Sequence, residues 1–489
     1  MDNKALHSGW EEAQIEKVRH RSWVYRLLLS GIETRGTLPV ALEDRTDPQF
    51  SKAFFIWLSA NSNILSFSAG TLGPLFYGLG LRDSCLVILF FNLLCVSFPA
   101  YLATFGPKMG MRQMVHARYT YGYWPIAVPC ILALASMMGF NILSAILGGQ
   151  TLASVSDGSV SWTVGIVIVS VLTLALSFCG YKVLHFYERY AWMPVWIVYL
   201  VVIGIGAKSI AAPPPTEPAT AGGVLTFGAT IAGFVISFCG MMSDYTAYMK
   251  PEVPSWKVFT YTYIGLFLPI VIIQILGAAF AIGMGNVPEW QDAYNTNSVG
   301  GLLEAVLRPA GNFGKFLTVL LALSVTANTA PTIYSFCLIF QVFIPPARYV
   351  PRYVFSILGF AIMLALAIVG AHSFYETLSN FLGLIGYWSA SFCSAIITEH
   401  LLFRHNDFAN YDASVWDTPS RLPSGIPALA AGILSFALVI PSMNEVWFIG
   451  PIAQAIPGYG DIGFELALVV TMLLYIPFRW IEIRFRGLH

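Results

Sequence analysis

An all-α polytopic membrane fold of about twelve helices follows from three properties of this sequence. The 489 residues are 56% apolar and 11% charged, where a soluble domain carries about 25% charged residues. Mean hydropathy is +0.68, so most of the chain is unsuited to water. The apolar residues also cluster into windows of the length a bilayer needs, about 20 residues each.

Read from the left, these windows fall near 54–80, 84–105, 123–152, 160–178, 187–207 and 224–248. A second set lies near 258–284, 313–343, 352–370, 375–399, 426–441 and 460–479. The organisation is then a cytoplasmic N-terminal tail over 1–52, a membrane domain over 53–480 and a cytoplasmic tail over 481–489. Residues 1–52 are charged and lack the short apolar core of a signal peptide. The Pro213-Pro214-Pro215 run and the Asn/Gly-rich stretch 285–312 read as loops.

Lysine and arginine orient the bundle. With the N-terminus inside, eleven of them fall on inner loops and span mouths, against Arg82, Lys208, Arg308 and Lys315 outside. Both termini are therefore expected to be cytoplasmic, with an even number of spans. The 26 basic and 26 acidic residues balance, which gives no pull toward nucleic acid. The seven cysteines show no CxxC spacing and read as small buried hydrophobes.

Two spans are interrupted. Span one contains Asn61-Ser62-Asn63-Ile64-Leu65-Ser66-Phe67-Ser68 followed by Gly70, Gly73 and Pro74. Span six contains Phe238-Cys239-Gly240-Met241-Met242-Ser243-Asp244-Tyr245. Interruptions free backbone polar groups, which in lipid must be satisfied by protein, water, ion or ligand. Matching interruptions in two halves point to a solute site at the bilayer midplane. Spans one and six lie five apart, and an odd offset inverts the second unit. The pattern is an inverted repeat of five plus five helices, with two more at the end.

Ionisable residues at membrane depth are costly and so are candidates. Glu188 is a candidate coupling group, with an interfacial ion pair to Arg189 or Lys182 as the alternative. Asp244 is a second coupling candidate, or else a headgroup-level carboxylate. Glu399 with His400 and Arg404 reads as a solvated helix end, and Glu376 as interfacial. In span eight, Asn328 and Thr332 share a helix face one turn apart, and Pro331 removes a backbone donor and is expected to break the helix with a kink. They suit a planar polar ligand, with helix–helix hydrogen bonding as the alternative. In span three, Phe140 and Ser144 share a face and offer a ring beside a hydroxyl.

No catalytic, metal or cofactor grouping is evident, and the histidines are scattered. The absence of a glycine-rich phosphate loop argues against an ATP-driven pump. Transport would then run on an ion gradient or downhill.

Several of these motifs, in order, resemble the fungal purine-cytosine permeases of the nucleobase cation symporter family. They are Gly106-Pro107-Lys108-Met109-Gly110-Met111-Arg112-Gln113-Met114, the 66–74 break, His185-Phe186-Tyr187-Glu188-Arg189-Tyr190 and Asp244-Tyr245-Thr246-Ala247-Tyr248. The likeness begins at 31–36 and reaches the last span. It implies a leucine-transporter-like fold with substrate held between spans one, three, six and eight. It further implies proton-coupled uptake of adenine, guanine, hypoxanthine or cytosine at the plasma membrane, with sodium as the other possible ion. On this likeness Ser66 or Ser68 is the substrate-contacting serine of span one. Glu188 is the coupling glutamate, and Asn328 and Pro331 match part of an Asn-Asn-x-Pro-Asn pattern.

The departures from the family pattern fall at the site itself. Phe140 and Ser144 stand where a Trp and an Asn are expected, and Thr329 and Thr332 where two Asn are. Span six has no tryptophan at its break, leaving Phe238. Losing an amide partner removes two-way hydrogen bonding, worth about 1–3 kcal/mol for a buried ligand group. Another small nitrogen heterocycle, vitamin B6-like or hydantoin-like, is thus an alternative cargo. A non-transporting nutrient receptor on the same fold is the alternative from a different class.

Overall fold

The computed structural model describes residues 36–156, 158–178, 180–350 and 352–486. The start of the family likeness at 31–35, most of the N-terminal tail and the last three residues lie outside them. The chain is mostly helical. Among the described residues nine helical segments are long and apolar enough to cross a membrane, and three shorter apolar helices accompany them. Their outward sides carry large apolar residues such as Phe90, Leu94, Leu200, Val369 and Leu473, as surfaces facing acyl chains do.

Span one is two helices, α1 (Ser51–Asn61) and α2 (Ile64–Tyr77). The second span, α3, covers Leu81–Met109. Then come α4 (Ala127–Val155), α5 (Trp162–Phe178), α6 (Gly180–Ile210) and α7 (Ala221–Ile236). The second half contains α8 (Ser255–Gly283), α9 (Pro288–Leu307), α10 (Gly311–Ser324) and α11 (Thr326–Phe343). It ends with α12 (Arg352–Gly370), α13 (Phe374–Thr398), α14 (Ile426–Ser442) and α15 (Gly463–Arg486). A two-stranded hairpin, β1 (Asn444–Glu445) with β2 (Phe448–Ile449), links α14 to α15.

The interruption in span one falls at Ser62 and Asn63, upstream of Gly70, Gly73 and Pro74. Those three residues lie inside α2, which corrects the expectation that they make the break. Gly70 is instead a contact point, because a Cβ there would lie 1.9 Å from the Gln274 carbonyl oxygen of α8. Gly277 of α8 is held equally close to the Phe67 carbonyl. Small residues let membrane helices approach in this way.

The break is legible in local chemistry. Asn61 Nδ2 donates to the Trp57 carbonyl at 3.0 Å and Ser62 Oγ to the Leu58 carbonyl at 2.6 Å. Asn63 is extended (φ −149°) and caps α2 by accepting from Ser66 N at 2.9 Å. Three short polar side chains thus satisfy the backbone that the break frees. Span six gives way at Met241 (φ −142°), between the 3-10 turns Ser237–Gly240 and Met242–Tyr245. Gly240 therefore stands at its break.

The structure corrects two readings, one of a loop and one of a helix end. The 285–312 stretch holds α9, bent where Asn297 and Ser298 leave helical geometry; its polar residues hid the helical period. Glu399 is not a solvated helix end but a fully buried carboxylate paired with Arg404 and Arg479.

Candidate functional site

Helix α4 runs through the centre of the bundle, packed against α5, α9, α10, α11, α12 and α13. Where it passes the break in span six, the side chains leave a narrow slot lined by Phe140, Ser136, Ser237, Phe238, Asn328 and Thr332, among others. Its water-accessible volume is about 10 Å³, room for about one water. Phe140 and Phe238 form two walls, nearly parallel (10°) with ring centroids 6.3 Å apart. Phe234 and Phe381 meet Phe140 edge-on at 5.8 and 5.2 Å. A flat ring between the two walls needs planes about 7 Å apart at van der Waals contact. The centroid separation bounds the plane spacing from above, so the gap is too narrow by roughly 1 Å or more for a flat ring.

Asn328 projects one amide hydrogen to the Ala60 carbonyl at the end of α1, at 3.0 Å. An amide has a second N–H and a carbonyl oxygen still to offer. Thr332 donates to the Asn328 carbonyl at 2.7 Å, so its hydroxyl presents lone pairs. Pro331 sits inside α11, and its carbonyl accepts from Tyr245 Oη at 2.6 Å. That bond ties span eight to the part of span six beyond its break.

Other predicted residues stand outside the slot. Ser66 is consumed locally, donating to the Asn61 carbonyl at 2.8 Å. Ser68 and Ser144 are buried, and their hydroxyls lack a hydrogen-bond partner among the described residues. Neither lines the slot. Glu188 is buried in α6 with Oε1 likewise unpartnered, and it makes no ion pair among the described residues. Its backbone carbonyl accepts from Ser59 of α1. Lys182, one of its suggested partners, has a side chain outside the described set.

Asp244 belongs to a separate network. Its Oδ1 accepts from Gln113 N at 2.9 Å, and its carbonyl from Arg112. Gln113 Oε1 in turn accepts from Ser243 N and Oγ at 3.2 and 3.1 Å. The Arg112 guanidinium lies 5.1 Å from the Tyr248 ring centre and 5.7 Å from that of Tyr334. The 106–114 motif thus anchors the far half of span six.

Sequence reading missed two tryptophans that pack against residues lining the slot. Trp57, fully buried on α1, meets Phe238 at 5.3 Å and Tyr245 at 5.4 Å. It supplies a tryptophan beside the span-six break from another helix. Trp388 of α13 donates to Ser136 Oγ of α4 at 2.9 Å. Each joins residues far apart in the chain, so no local spacing marks them.

The family of permeases for cytosine/purines, uracil, thiamine and allantoin matches residues 39–459. This chain belongs to that family. A purine-cytosine permease of Emericella nidulans is 35% identical over 460 residues, covering 93% of this chain and 90% of that one. A vitamin B6 transporter of Saccharomyces cerevisiae is 27% identical over 509 residues, covering 93% and 88%. Among solved structures, the nucleobase-cation-symport-1 family transporter Mhp1, closed with bromovinylhydantoin bound, superposes with a TM-score of 0.68. It shares 17% identity and covers 92% of this chain and 96% of that one. The fold is therefore that of a membrane symporter, and the chain is a membrane transporter rather than an enzyme.

Proposed function

We propose that this chain imports purine nucleobases and cytosine across the plasma membrane, driven by a proton gradient. Its twelve spans would be the nine long and three short apolar helices, with both termini cytoplasmic, as the basic-residue asymmetry supports. The observation that carries this reading is the slot itself. Two parallel rings, Phe140 and Phe238, stand beside the Asn328 amide and the Thr332 hydroxyl where the interrupted spans meet. Stacking faces plus a two-way amide suit a flat, nitrogen-rich heterocycle.

The coupling ion is argued from the break. Broken-helix carbonyls can hold Na⁺. In span one, however, the Ala60 carbonyl accepts from Asn63 and Asn328, that of Asn61 from Ser66, and that of Asn63 from Tyr199. Side-chain donors thus occupy oxygens a cation would need. Glu188, buried without an ion pair among the described residues, is the group proposed to carry the proton. Asp244, held by Arg112 and Gln113, would act by positioning the inner half of span six.

Uptake of labelled adenine, hypoxanthine and cytosine by a permease-null yeast strain expressing this chain is the direct test. Transport of none of them, with the protein at the cell surface, would overturn the reading. Glu188→Gln is expected to abolish the pH dependence of uptake, and an unchanged pH profile would remove Glu188 from coupling. Equal uptake with and without sodium at fixed pH is also expected; a sodium requirement would replace the proton.

A second reading has specific support. Thr332 offers only a hydroxyl where the family pattern has an amide, and a relative at 27% identity is a vitamin B6 transporter. Thr332→Asn should move the inhibitor ranking toward purines. Stronger competition by pyridoxine than by any nucleobase in the unmodified protein would favour this second cargo.

A further inference from the structure

A second cavity lies at the end of the bundle where α2 stops, away from the slot. Its volume is about 300 Å³, and its walls include Phe76, Gln150, Trp162, Ser298, His372 and Glu376. These come from the end of α2, the end of α4, the start of α5, the bend in α9 and the junction of α12 with α13. The rim residues Phe76, His372 and Glu376 are exposed.

Gln150 is the informative member. It is 1% exposed, and Nε2 donates to the Ala371 carbonyl at 3.0 Å. Its Oε1 has no hydrogen-bond partner among the described residues. A buried amide oxygen without a donor is costly, and this one belongs to a cavity wall. The orientation of the amide is fixed by the Ala371 carbonyl, which leaves its oxygen as an unsatisfied acceptor buried beside the cavity. Glu376, a carboxylate, adds acceptors at the rim.

The same cavity has a ring face. Trp162 and His372 lie 5.0 Å apart with planes inclined by 31°. The indole is pinned, since Nε1 donates to Asn297 Oδ1 at 2.8 Å. A rigid aromatic face beside acceptors recognises a planar ring with N–H groups. The cavity also has room for such a ring, while the central slot holds only about one water.

We propose that this cavity is a second binding site, where a planar heterocycle bearing an amino group or ring N–H docks before the slot opens. Gln150 Oε1 accepts its N–H, and Trp162 with His372 stacks on its face. The inference rests on the nucleobase reading above and assigns that cargo a separate station.

Equilibrium binding of labelled adenine and of labelled cytosine to the purified full-length protein in lipid nanodiscs tests it. Two sites per chain are expected. Asn328→Ala should remove one and leave the other. Gln150→Leu and Trp162→Ala, each combined with Asn328→Ala, should weaken the remaining site about tenfold or more, while Trp162→Phe retains it. The Trp162 pair keeps the test decisive if Gln150→Leu does not fold. One site per chain, or a second site indifferent to both Gln150→Leu and Trp162→Ala, overturns this inference and leaves the nucleobase reading intact. Binding of neither base to monodisperse protein overturns both.

Discussion

Two buried acidic clusters lie beside helix α13, one at its C-terminal end and one against its middle, and they are neutralised by different means. At its C-terminal end Glu399 is fully buried and meets Arg404 Nε at 3.1 Å. It also meets Arg479 Nε and Nη2 at 2.9 and 3.0 Å, and Tyr475 Oη at 2.8 Å. Arg479 continues to Glu482 at 2.7 Å. Against the middle of α13, Tyr387 Oη donates within a pair of buried carboxyls, Glu445 of β1 and Asp461 of the loop before α15. Neither carboxyl has a cation partner among the described residues. Asn444 N and Gly463 N reach Asp461 at 2.8 and 2.7 Å. Two guanidinia balance charge with charge, whereas a carboxyl pair in a dry site is balanced by a proton. Burial, with Asp461 alongside, pushes Glu445 up to about 9, and burial raises Asp461 as well. The C-terminal cluster is thus held by ion pairs and the mid-helix cluster by a retained proton.

The comparison breaks most severely at Arg479. Arg479→Met leaves Glu399 without its main partner and is expected to cost about 3–5 kcal/mol. Thermal unfolding in detergent would read this, and Glu399→Gln in the same chain should recover part of the loss. No recovery would mean that Arg479 acts through packing alone.

The pH effect is smaller and has a defined sign. A carboxyl with a raised folded pKa binds its proton more tightly in the folded state, so stability falls as pH climbs from about 4.5 toward 9. Glu445→Gln should flatten that slope in melting temperature. A variant that keeps the full slope would locate the titration elsewhere. Tyr387→Phe is the mildest change, removing a hydrogen bond worth about 1 kcal/mol. That bond favours the ionised form of Glu445, so its loss should shift the midpoint to higher pH. A midpoint moved downward would contradict the arrangement.

Much of this architecture can be read from residues alone. Apolar windows mark the spans because lipid allows few alternatives, and Asn61-Ser62-Asn63 announces the first break. Gly70, Gly73 and Pro74 misled because glycine serves close packing as readily as interruption. Phe140, Phe238, Asn328 and Thr332 were predicted and line one slot, whereas Ser66, Ser68 and Ser144 are not part of its lining. The Glu399 pairing stayed hidden because Arg479 lies 80 residues away. Trp57 and Trp388 stayed hidden for the same reason. Helix α9 escaped notice because its polar surface resembles a loop.

The close approach of Phe140 and Phe238 has a kinetic consequence. With the slot as the proposed binding site, only molecules whose rings have separated would accept cargo, and the observed dissociation constant would be the intrinsic one divided by that open fraction. Substitutions that never touch the ligand, such as those altering how Trp57 props Phe238, will then change apparent affinity by changing the population. Saturation of the observed binding rate at high substrate, at the ring-separation rate, would be its signature.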